Sequence, residues 1–208
     1  LRVTDEATLK VVEMVLCGHV NKAIVRALLS AGVPAMGISG EDGALLLARP
    51  LQVEKTDSSG QRMVVDYGHV GEVESVNRDP LESLLNARMV PVIAPLGLSS
   101  KGNALNLNAD TAAAAVAGAL QADLFALLTD VAGVMVPQNG SKQVAPLLTA
   151  ADVERLKNEG VVTGGMIPKV DCCVMALRAG ARSSLIASMD AFNSGSDFGG
   201  TRIVEDAP

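Results

Sequence analysis

Short apolar segments that look like buried strands alternate with helical patterns along most of this chain. The strand-like stretches are 33–38, 90–96, 123–128, 184–187 and 201–204. The helical stretches are a long one from Thr4 to Gly32, then 81–87, 111–120, 149–160, and one with Pro168 as its first residue. Thr149 and Asp152 predict a capping box at the start of the stretch 149–160. Alternation of this kind favours a parallel sheet with helices on both faces. The sequence therefore predicts an α/β fold, a three-layer αβα sandwich with a mainly parallel open sheet, in a single domain over 1–208.

One stretch departs from this alternation. Residues 44–47 and 63–66 are strand-like, and the polar segment 55–62 separates them. Two such runs joined by a polar connection are typical of a hairpin. We therefore expect a small antiparallel β-ribbon within 44–76.

Composition excludes several classes of function. The net charge is -6, with no basic block, which argues against nucleic-acid binding. No apolar run approaches the ~20 residues of a membrane span, so no membrane partner is expected. The three cysteines make an odd count, Cys172 and Cys173 are adjacent, and neither zinc spacing nor a disulfide framework appears. A reducing, cytoplasmic setting follows.

The run Asn106-Leu107-Asn108-Ala109-Asp110 stands directly before an alanine-rich helix. Side chains at every second position of an extended segment share one face. The run therefore predicts that its amides project together beyond a strand end, while Leu105 and Leu107 face the core. Asp110 stands where the N-cap of the following helix is expected.

Other polar clusters follow predicted strands, where open α/β sheets bind ligands. These clusters are 37–43, 97–100 and 129–130. Each alone is most simply a turn, but several together favour a site. Neither a Walker loop nor a Gly-x-Gly-x-x-Gly fingerprint is present, so any nucleotide site has another architecture.

Two basic residues precede or begin helices. Lys169 follows Gly164-Gly165 in a first helical turn, where it opposes the helix dipole unless an anion sits between its ammonium and the backbone N–H groups. The alternative is a solvated surface lysine. Arg2 could clamp a carboxylate, although position alone favours a terminal arginine without a partner.

Taken together, these motifs resemble the N-acetylglutamate kinases of the amino-acid kinase superfamily. The similar segments span almost the whole chain. They are Leu1-Arg2-Val3-Thr4, Ser39-Gly40-Glu41-Asp42-Gly43, Asp66-Tyr67-Gly68-His69-Val70-Gly71, Asn106–Asp110, Leu128–Val134, Gly164–Lys169 and Gly199–Ile203.

The resemblance implies a reaction, in which the γ-carboxylate of N-acetyl-L-glutamate attacks the γ-phosphate of ATP during arginine biosynthesis. It implies substrate binding by Arg2 and Asn106, and catalytic roles for Lys169 and Asp110. It also implies a nucleotide site, with Mg²⁺ on ATP as co-substrate and no tightly bound cofactor. The nucleotide-binding residues would be Thr129, Asp130, Val131, Ala132, Gly133, Val134, Met135, Val161, Val162, Thr163 and Met166.

The resemblance also carries expectations about the whole protein. The acetylglutamate side would be roughly 1–120 and the nucleotide side roughly 121–208, with a homodimer or higher homo-oligomer. The family's N-terminal Lys-Gly-Gly strand and glycine-rich loop are missing, so we expect a truncated chain with impaired activity. The expected location is the cytoplasm, or a plastid if a missing N-terminus carried a transit peptide.

Two alternatives stay open. Another kinase of the superfamily, acting on aminoadipate, glutamate, carbamate or uridylate, would share the strand end at Thr129-Asp130. A non-catalytic fragment acting only in assembly would share the fold without the activity. Tests of phosphoryl acceptors and of ATP binding separate these possibilities.

Overall fold

The fold was analysed in a computed structural model, which describes residues 3–56, 62–138, 140–193 and 199–206. The chain divides into two compact units, 1–112 and 113–208. The sequence analysis predicted a single domain with one functional side at roughly 1–120 and another at roughly 121–208, and this stays a prediction. No helix in the described ranges is both long and apolar enough to cross a membrane.

The first unit is built from helices packed on a parallel strand pair and from a small barrel. Its helices are α1 (Glu6–Glu13), α2 (Asn21–Ser30) and α3 (Asp79–Asn86), and α4 (Ala109–Ala119) contains the boundary between the units. Its strands are β1 (Ala35–Ser39), β2 (Leu46–Thr56), β3 (Arg62–Val76), β4 (Val90–Ala94), β5 (Leu96–Ser99) and β6 (Ala104–Leu107). Strand β1 pairs in parallel with β4, and β2, β3, β6 and β5 close into a barrel.

The predicted ribbon is confirmed and is longer than expected. Strands β2 and β3 pair antiparallel from Leu46↔Val76 to Thr56↔Arg62, with irregular register near Ala48 and Pro50. Residues 57–61 lie outside the described residues. The ribbon's barrel end brings Val70 beside Asn106 of β6, in parallel pairing.

The predicted long first helix needs correction. A π-helical segment, Met14–Val20, separates α1 from α2. Directly after it, the buried Asn21 donates its side-chain amide to the carbonyls of Ile38 (3.1 Å) and Val92 (2.8 Å). The side chain of Asn21 therefore connects β1 to β4.

The predicted strand 90–96 is also two elements. Strand β4 ends at Ala94 and β5 begins at Leu96, with Pro95 between them. Proline has no N–H for a strand ladder, so it suits the point where the chain leaves one sheet for another.

The second unit is a sheet covered by helices. Its strands are β7 (Phe125–Thr129), β8 (Met135–Gln138), β9 (Ser141–Val144), β10 (Leu147–Thr149), β11 (Ser184–Ser188) and β12 (Thr201–Val204). Its helices are α5 (Ala150–Asn158), α6 (Met166–Arg178) and α7 (Met189–Asn193). The sheet order is β10-β12-β11-β7, with β11 parallel to β7 and β12 antiparallel to β11, while β8 and β9 form a hairpin.

The core of the second unit is aliphatic. Helix α6 buries Val170, Cys172, Cys173 and Leu177 against this sheet. The adjacent cysteines are therefore packing residues of this core. The α/β class predicted from the alternation is confirmed.

Helix α5 begins with the predicted capping box. Thr149 accepts a hydrogen bond from the N–H of Asp152, and the Asp152 carboxylate accepts from the Thr149 N–H at 3.0 Å. Arg155 donates to the same carboxylate at 2.8 Å. Chiefly through Arg155, and then through Thr149, the pKa of Asp152 falls to about 2.

We expect Asp152→Asn to lower the free energy of unfolding by about 1 kcal/mol near neutral pH, the usual cost of losing a helix cap. Because folding lowers the pKa of this carboxyl, its contribution is present above the unfolded pKa near 3.8 and is lost as pH falls through about 2. Urea unfolding of both proteins between pH 2 and 7 checks this.

The matched control is Glu205→Gln, an exposed carboxylate outside the capping box. It should leave the unfolding free energy unchanged at every pH. A difference between Asp152→Asn and wild type that persists undiminished at pH 2 would contradict the assignment.

Candidate functional site

Strand β6 confirms the alternation predicted for the Asn106 run. Leu105 and Leu107 are buried, and Asn106 between them is half-buried. The side-chain Nδ2 of Asn106 donates to Oγ1 of Thr4 at 3.3 Å. The amide of Asn106 is thus held by a residue near the start of the chain.

Thr4 is a supporting residue that the sequence analysis did not single out. It is buried, its N–H donates to the Tyr67 carbonyl at 3.0 Å, and its carbonyl accepts from the His69 N–H at 2.7 Å. Gly68, at φ +67°, lies so close that an added Cβ would stand 2.4 Å from the Thr4 carbonyl oxygen. The sequence signal for this contact was Gly68, because glycine readily adopts the positive φ that such a close approach requires.

Arg2 stands two positions before Thr4 and lies outside the described residues. Its predicted contact with a substrate carboxylate stays a prediction.

Asp110 is not the N-cap that the sequence predicted. Helix α4 starts one residue earlier, at Ala109, and Asn108 caps it by accepting the Thr111 N–H at 3.1 Å. Asp110 instead lies in the first turn, half-buried, where the helix dipole favours a carboxylate. Within the described ranges its carboxylate makes no hydrogen bond or ion pair, so it is available to a cation.

Two further clusters of the first unit behave as structural elements. In the 37–43 loop, Asp42 accepts hydrogen bonds from the N–H (2.7 Å) and hydroxyl (3.0 Å) of Ser39, which satisfies the turn internally. The cluster 97–100 belongs mostly to β5. The simpler interpretation as a turn therefore suffices for 37–43.

In the second unit, the predicted nucleotide segment Thr129–Met135 leaves the carboxyl end of β7. Thr129 is the last residue paired with β11, opposite Ser188, and its hydroxyl donates to the Asp130 carboxylate at 3.0 Å. Asp130, Val131, Ala132 and Met135 are exposed, whereas Gly133 and Val134 are buried. The segment thus has exposed residues on both sides of the buried Gly133-Val134.

The second predicted nucleotide segment, 161–163, closes the end of α5. The N–H groups of Val161 and Val162 both donate to the Leu156 carbonyl, at 2.9 and 3.1 Å. Val162 is buried, Val161 is half-buried, and Thr163 is exposed. Val161 also lines an open cavity of about 560 Å³, between the base of the β8–β9 hairpin and α5.

Lys169 lies in the first turn of α6, as predicted, although the helix begins at Met166 and not at Pro168. Proline is well tolerated throughout a first turn, which is why the sequence did not locate the start. Lys169 is half-buried, and the described part of the chain offers its ammonium no carboxylate or hydrogen-bond partner.

The two glycines before α6 face open space. A Cβ built on Gly164 or Gly165 would meet nothing within 4 Å, and Gly164 has a positive φ of +56°. Met166, which follows them, is half-buried and donates its N–H to the Thr163 carbonyl at 3.2 Å. A ligand phosphate could therefore approach this backbone next to the Lys169 ammonium.

The two groups of predicted residues belong to different units. Asn106, Asp110 and Thr4 lie in the first unit, whereas Lys169, 129–135 and 161–166 lie in the second. No set of three or more His, Cys, Asp or Glu side chains among the described residues is arranged to hold a metal ion.

Comparison with known proteins agrees with the motifs. The model of the amino acid kinase family matches residues 1–188. The acetylglutamate kinase of Methanopyrus kandleri is 48% identical over 190 residues, which are 91% of this chain and 75% of that protein. The acetylglutamate kinase of Geobacter metallireducens is 47% identical over 186 residues, which are 89% of this chain and 63% of that protein.

A solved structure has a similar fold. The crystal structure of smu.665 from Streptococcus mutans superimposes with a TM-score of 0.77 at 32% identity, over 99% of this chain and 75% of that one. The chain spans less than two thirds of several relatives, for example 58% of the acetylglutamate kinase of Gluconacetobacter diazotrophicus. The resemblance drawn from the motifs is confirmed, and the chain belongs to the amino acid kinase family.

Proposed function

We propose that this chain takes part in the ATP-dependent phosphorylation of the γ-carboxylate of N-acetyl-L-glutamate, a step of arginine biosynthesis. The proposal is supported by curated relatives at 46–48% identity that are acetylglutamate kinases. The structural observation that carries it is that two charged groups in first helical turns have no partner among the residues that the structure describes. They are the Lys169 ammonium and the Asp110 carboxylate, each half-buried and each part of a family motif.

The proposed reaction does not need a general base. The nucleophile is a carboxylate that is already ionised near neutral pH, so the protein must mainly position the reactants and balance charge. In this proposal Lys169 stabilises the negative charge on the transferring phosphoryl group. Asp110 orients the cationic groups, and Mg²⁺ arrives on the phosphates of ATP.

Asn106 supplies the substrate contact on the first unit. One of its two amide hydrogens is used by Thr4, which leaves the second hydrogen and the carbonyl oxygen for a ligand. These groups suit the α-carboxylate or the acetamido end of N-acetyl-L-glutamate. Arg2 is proposed to bind a carboxylate of the same substrate.

ATP is proposed to lie along the second unit. The exposed parts of 129–135 and 161–163, together with Met166, would border it. Gly164 and Gly165, which precede α6 and face open space, would lie next to it. Cytoplasmic location, the absence of a tightly bound cofactor and the division into an acetylglutamate side and a nucleotide side belong to the same proposal.

A homo-oligomer is the proposed assembly, with α1, the π-helical segment and α2 as its contact. This stretch presents several large apolar side chains to solvent. They are Val11 (52% exposed), Met14 (65%), Val15 (43%), Ile24 (46%) and Leu29 (53%). Several exposed apolar side chains on one continuous helical stretch are typical of an interaction face, and the expected occupant is a second copy of the chain.

For the reaction, we expect Lys169→Met to lower turnover by about 100-fold or more, because it removes the charge that balances the phosphoryl oxygens. The measurement is hydroxylamine trapping of the acyl phosphate, with MgATP and N-acetyl-L-glutamate. Lys142→Met is the matched control, since Lys142 is exposed on β9 outside the proposed site.

The same assay with glutamate, aminoadipate, carbamate or uridylate tests the other kinases of the superfamily. Faster phosphorylation of any of these acceptors than of N-acetyl-L-glutamate would overturn the assignment of substrate. A chain whose melting temperature responds to neither MgATP nor N-acetyl-L-glutamate would favour the non-catalytic alternative.

For the substrate contact, we expect Asn106→Ala to weaken N-acetyl-L-glutamate binding by about tenfold, the effect of losing a hydrogen bond to a charged group. Calorimetric titration measures it. Asn86→Ala, at the exposed end of α3, should bind as wild type does. Equal affinities for Asn106→Ala and Asn86→Ala would remove Asn106 from the site.

For the assembly, we expect the double variant Met14→Glu, Val15→Glu to be monomeric at a concentration where the wild-type chain is a dimer or larger. The reason is the cost of burying two carboxylates in an apolar contact. Light scattering coupled to size exclusion gives the mass. Leu85→Glu, on the exposed face of α3, is the control and should leave the wild-type mass unchanged.

A further inference from the structure

One buried hydroxyl anchors the proposed nucleotide segment from a distant strand. Oγ1 of Thr201, in β12, accepts the backbone N–H of Val134 at 2.8 Å, across 67 positions of sequence. Thr201 is fully buried. The contact therefore joins the last strand of the sheet to the segment that follows β7.

The other groups of Val134 are held as well. Its carbonyl accepts the Ala145 N–H at 2.9 Å, and its side chain, 1% exposed, belongs to the core of the second unit. Removing the Thr201 oxygen would leave one buried N–H without its acceptor, which is unfavourable unless the segment moves. Moving the segment would displace the exposed residues on both sides of Gly133-Val134.

Gly133 and Thr201 fit each other. Gly133 has φ +154°, and a Cβ added to it would lie 2.6 Å from the Thr201 hydroxyl oxygen and 2.7 Å from Cγ1 of Val144. A similar constraint acts one residue before Thr201, since a Cβ on Gly200 would lie 2.5 Å from the Ile186 carbonyl oxygen. Glycines on both sides thus allow the hydroxyl to reach the segment.

Packing alone does not require a hydroxyl here. Thr201 pairs with Ile186 of β11, and Ile203 of the same strand is a fully buried core residue. Valine has nearly the shape of threonine and no polar group to desolvate. A buried threonine at this position is explained by the hydrogen bond that it accepts.

We propose that Thr201 is a positioning residue, whose buried hydroxyl holds Gly133-Val134 so that the exposed residues 130–132 and Met135 stand where ATP contacts them. This inference rests on the proposed nucleotide role of 129–135. It assigns to β12 a part in nucleotide binding without any direct contact between Thr201 and the ligand.

The test uses Thr201→Val and Thr201→Ser in the full 208-residue chain. For Thr201→Val we expect about tenfold faster hydrogen exchange of the Val134 amide, and MgATP affinity lower by about tenfold. Thr201→Ser keeps the acceptor and should restore both values to within about threefold of wild type. Hydrogen-exchange mass spectrometry and calorimetric titration with MgATP give the two readouts.

Ser183→Ala is the matched control. Ser183 is also buried, and its hydroxyl donates to the Asp123 carbonyl at 2.8 Å, just before β7 and β11 begin. Its loss should lower the melting temperature without changing exchange at 129–135 or MgATP affinity. If Thr201→Val does not fold, Thr201→Ala provides the second variant, because it also removes the hydroxyl and leaves residues 129–135 unchanged.

The outcomes separate the two proposals. Wild-type exchange and affinity in Thr201→Val, or losses of equal size in Ser183→Ala and Thr201→Val, would overturn the positioning role. If the wild-type chain binds no MgATP, the proposed function fails. Exchange at 129–135 then decides by itself whether Thr201 fixes the segment.

Discussion

Backbone groups at the ends of buried strands must find hydrogen-bond partners, and in this chain distant side chains provide them. Asn21 donates to carbonyls of both β1 and β4, and Thr201 accepts the N–H of Val134. Each contact links segments that are far apart in sequence. Loop positions therefore depend on the assembled sheets.

The charged groups fall into two kinds, and the difference bears on function. On α5, Arg155 is bonded to Asp152 and Glu159, and Lys157 is bonded to Asp171 at 2.6 Å. Such exposed pairs contribute little to stability. Lys169, in the first turn of the next helix, has no partner within the described ranges. An ammonium in the first turn of a helix is unfavourably placed with respect to the helix dipole, which is why Lys169 is proposed to meet an anionic ligand.

Local periodicity accounts for what sequence analysis predicted correctly. The alternation at Leu105, Asn106 and Leu107 follows from the strand repeat of two, and the capping box of α5 follows from residues three positions apart. The β-ribbon was equally accessible, because its strands are adjacent in sequence. The family motifs were recognisable for the same reason, since each is a short continuous run.

Boundaries were predicted less well, because several residues can fill the same role. Asn108 and Asp110 are both good caps, and only the structure shows that Asn108 takes this position. The start of α6 was misplaced by two residues because proline is tolerated at more than one position of a first turn.

The sequence by itself determined the α/β class, the family, and the residue types available for binding a carboxylate and a phosphate. Only the tertiary structure decided that Thr4 holds Asn106 and that Thr201 holds Val134, across 102 and 67 positions of sequence. No local pattern encodes such contacts. They arise when a buried polar group finds a partner among the residues that the fold brings near it, because leaving it unpaired costs more than the bond itself contributes.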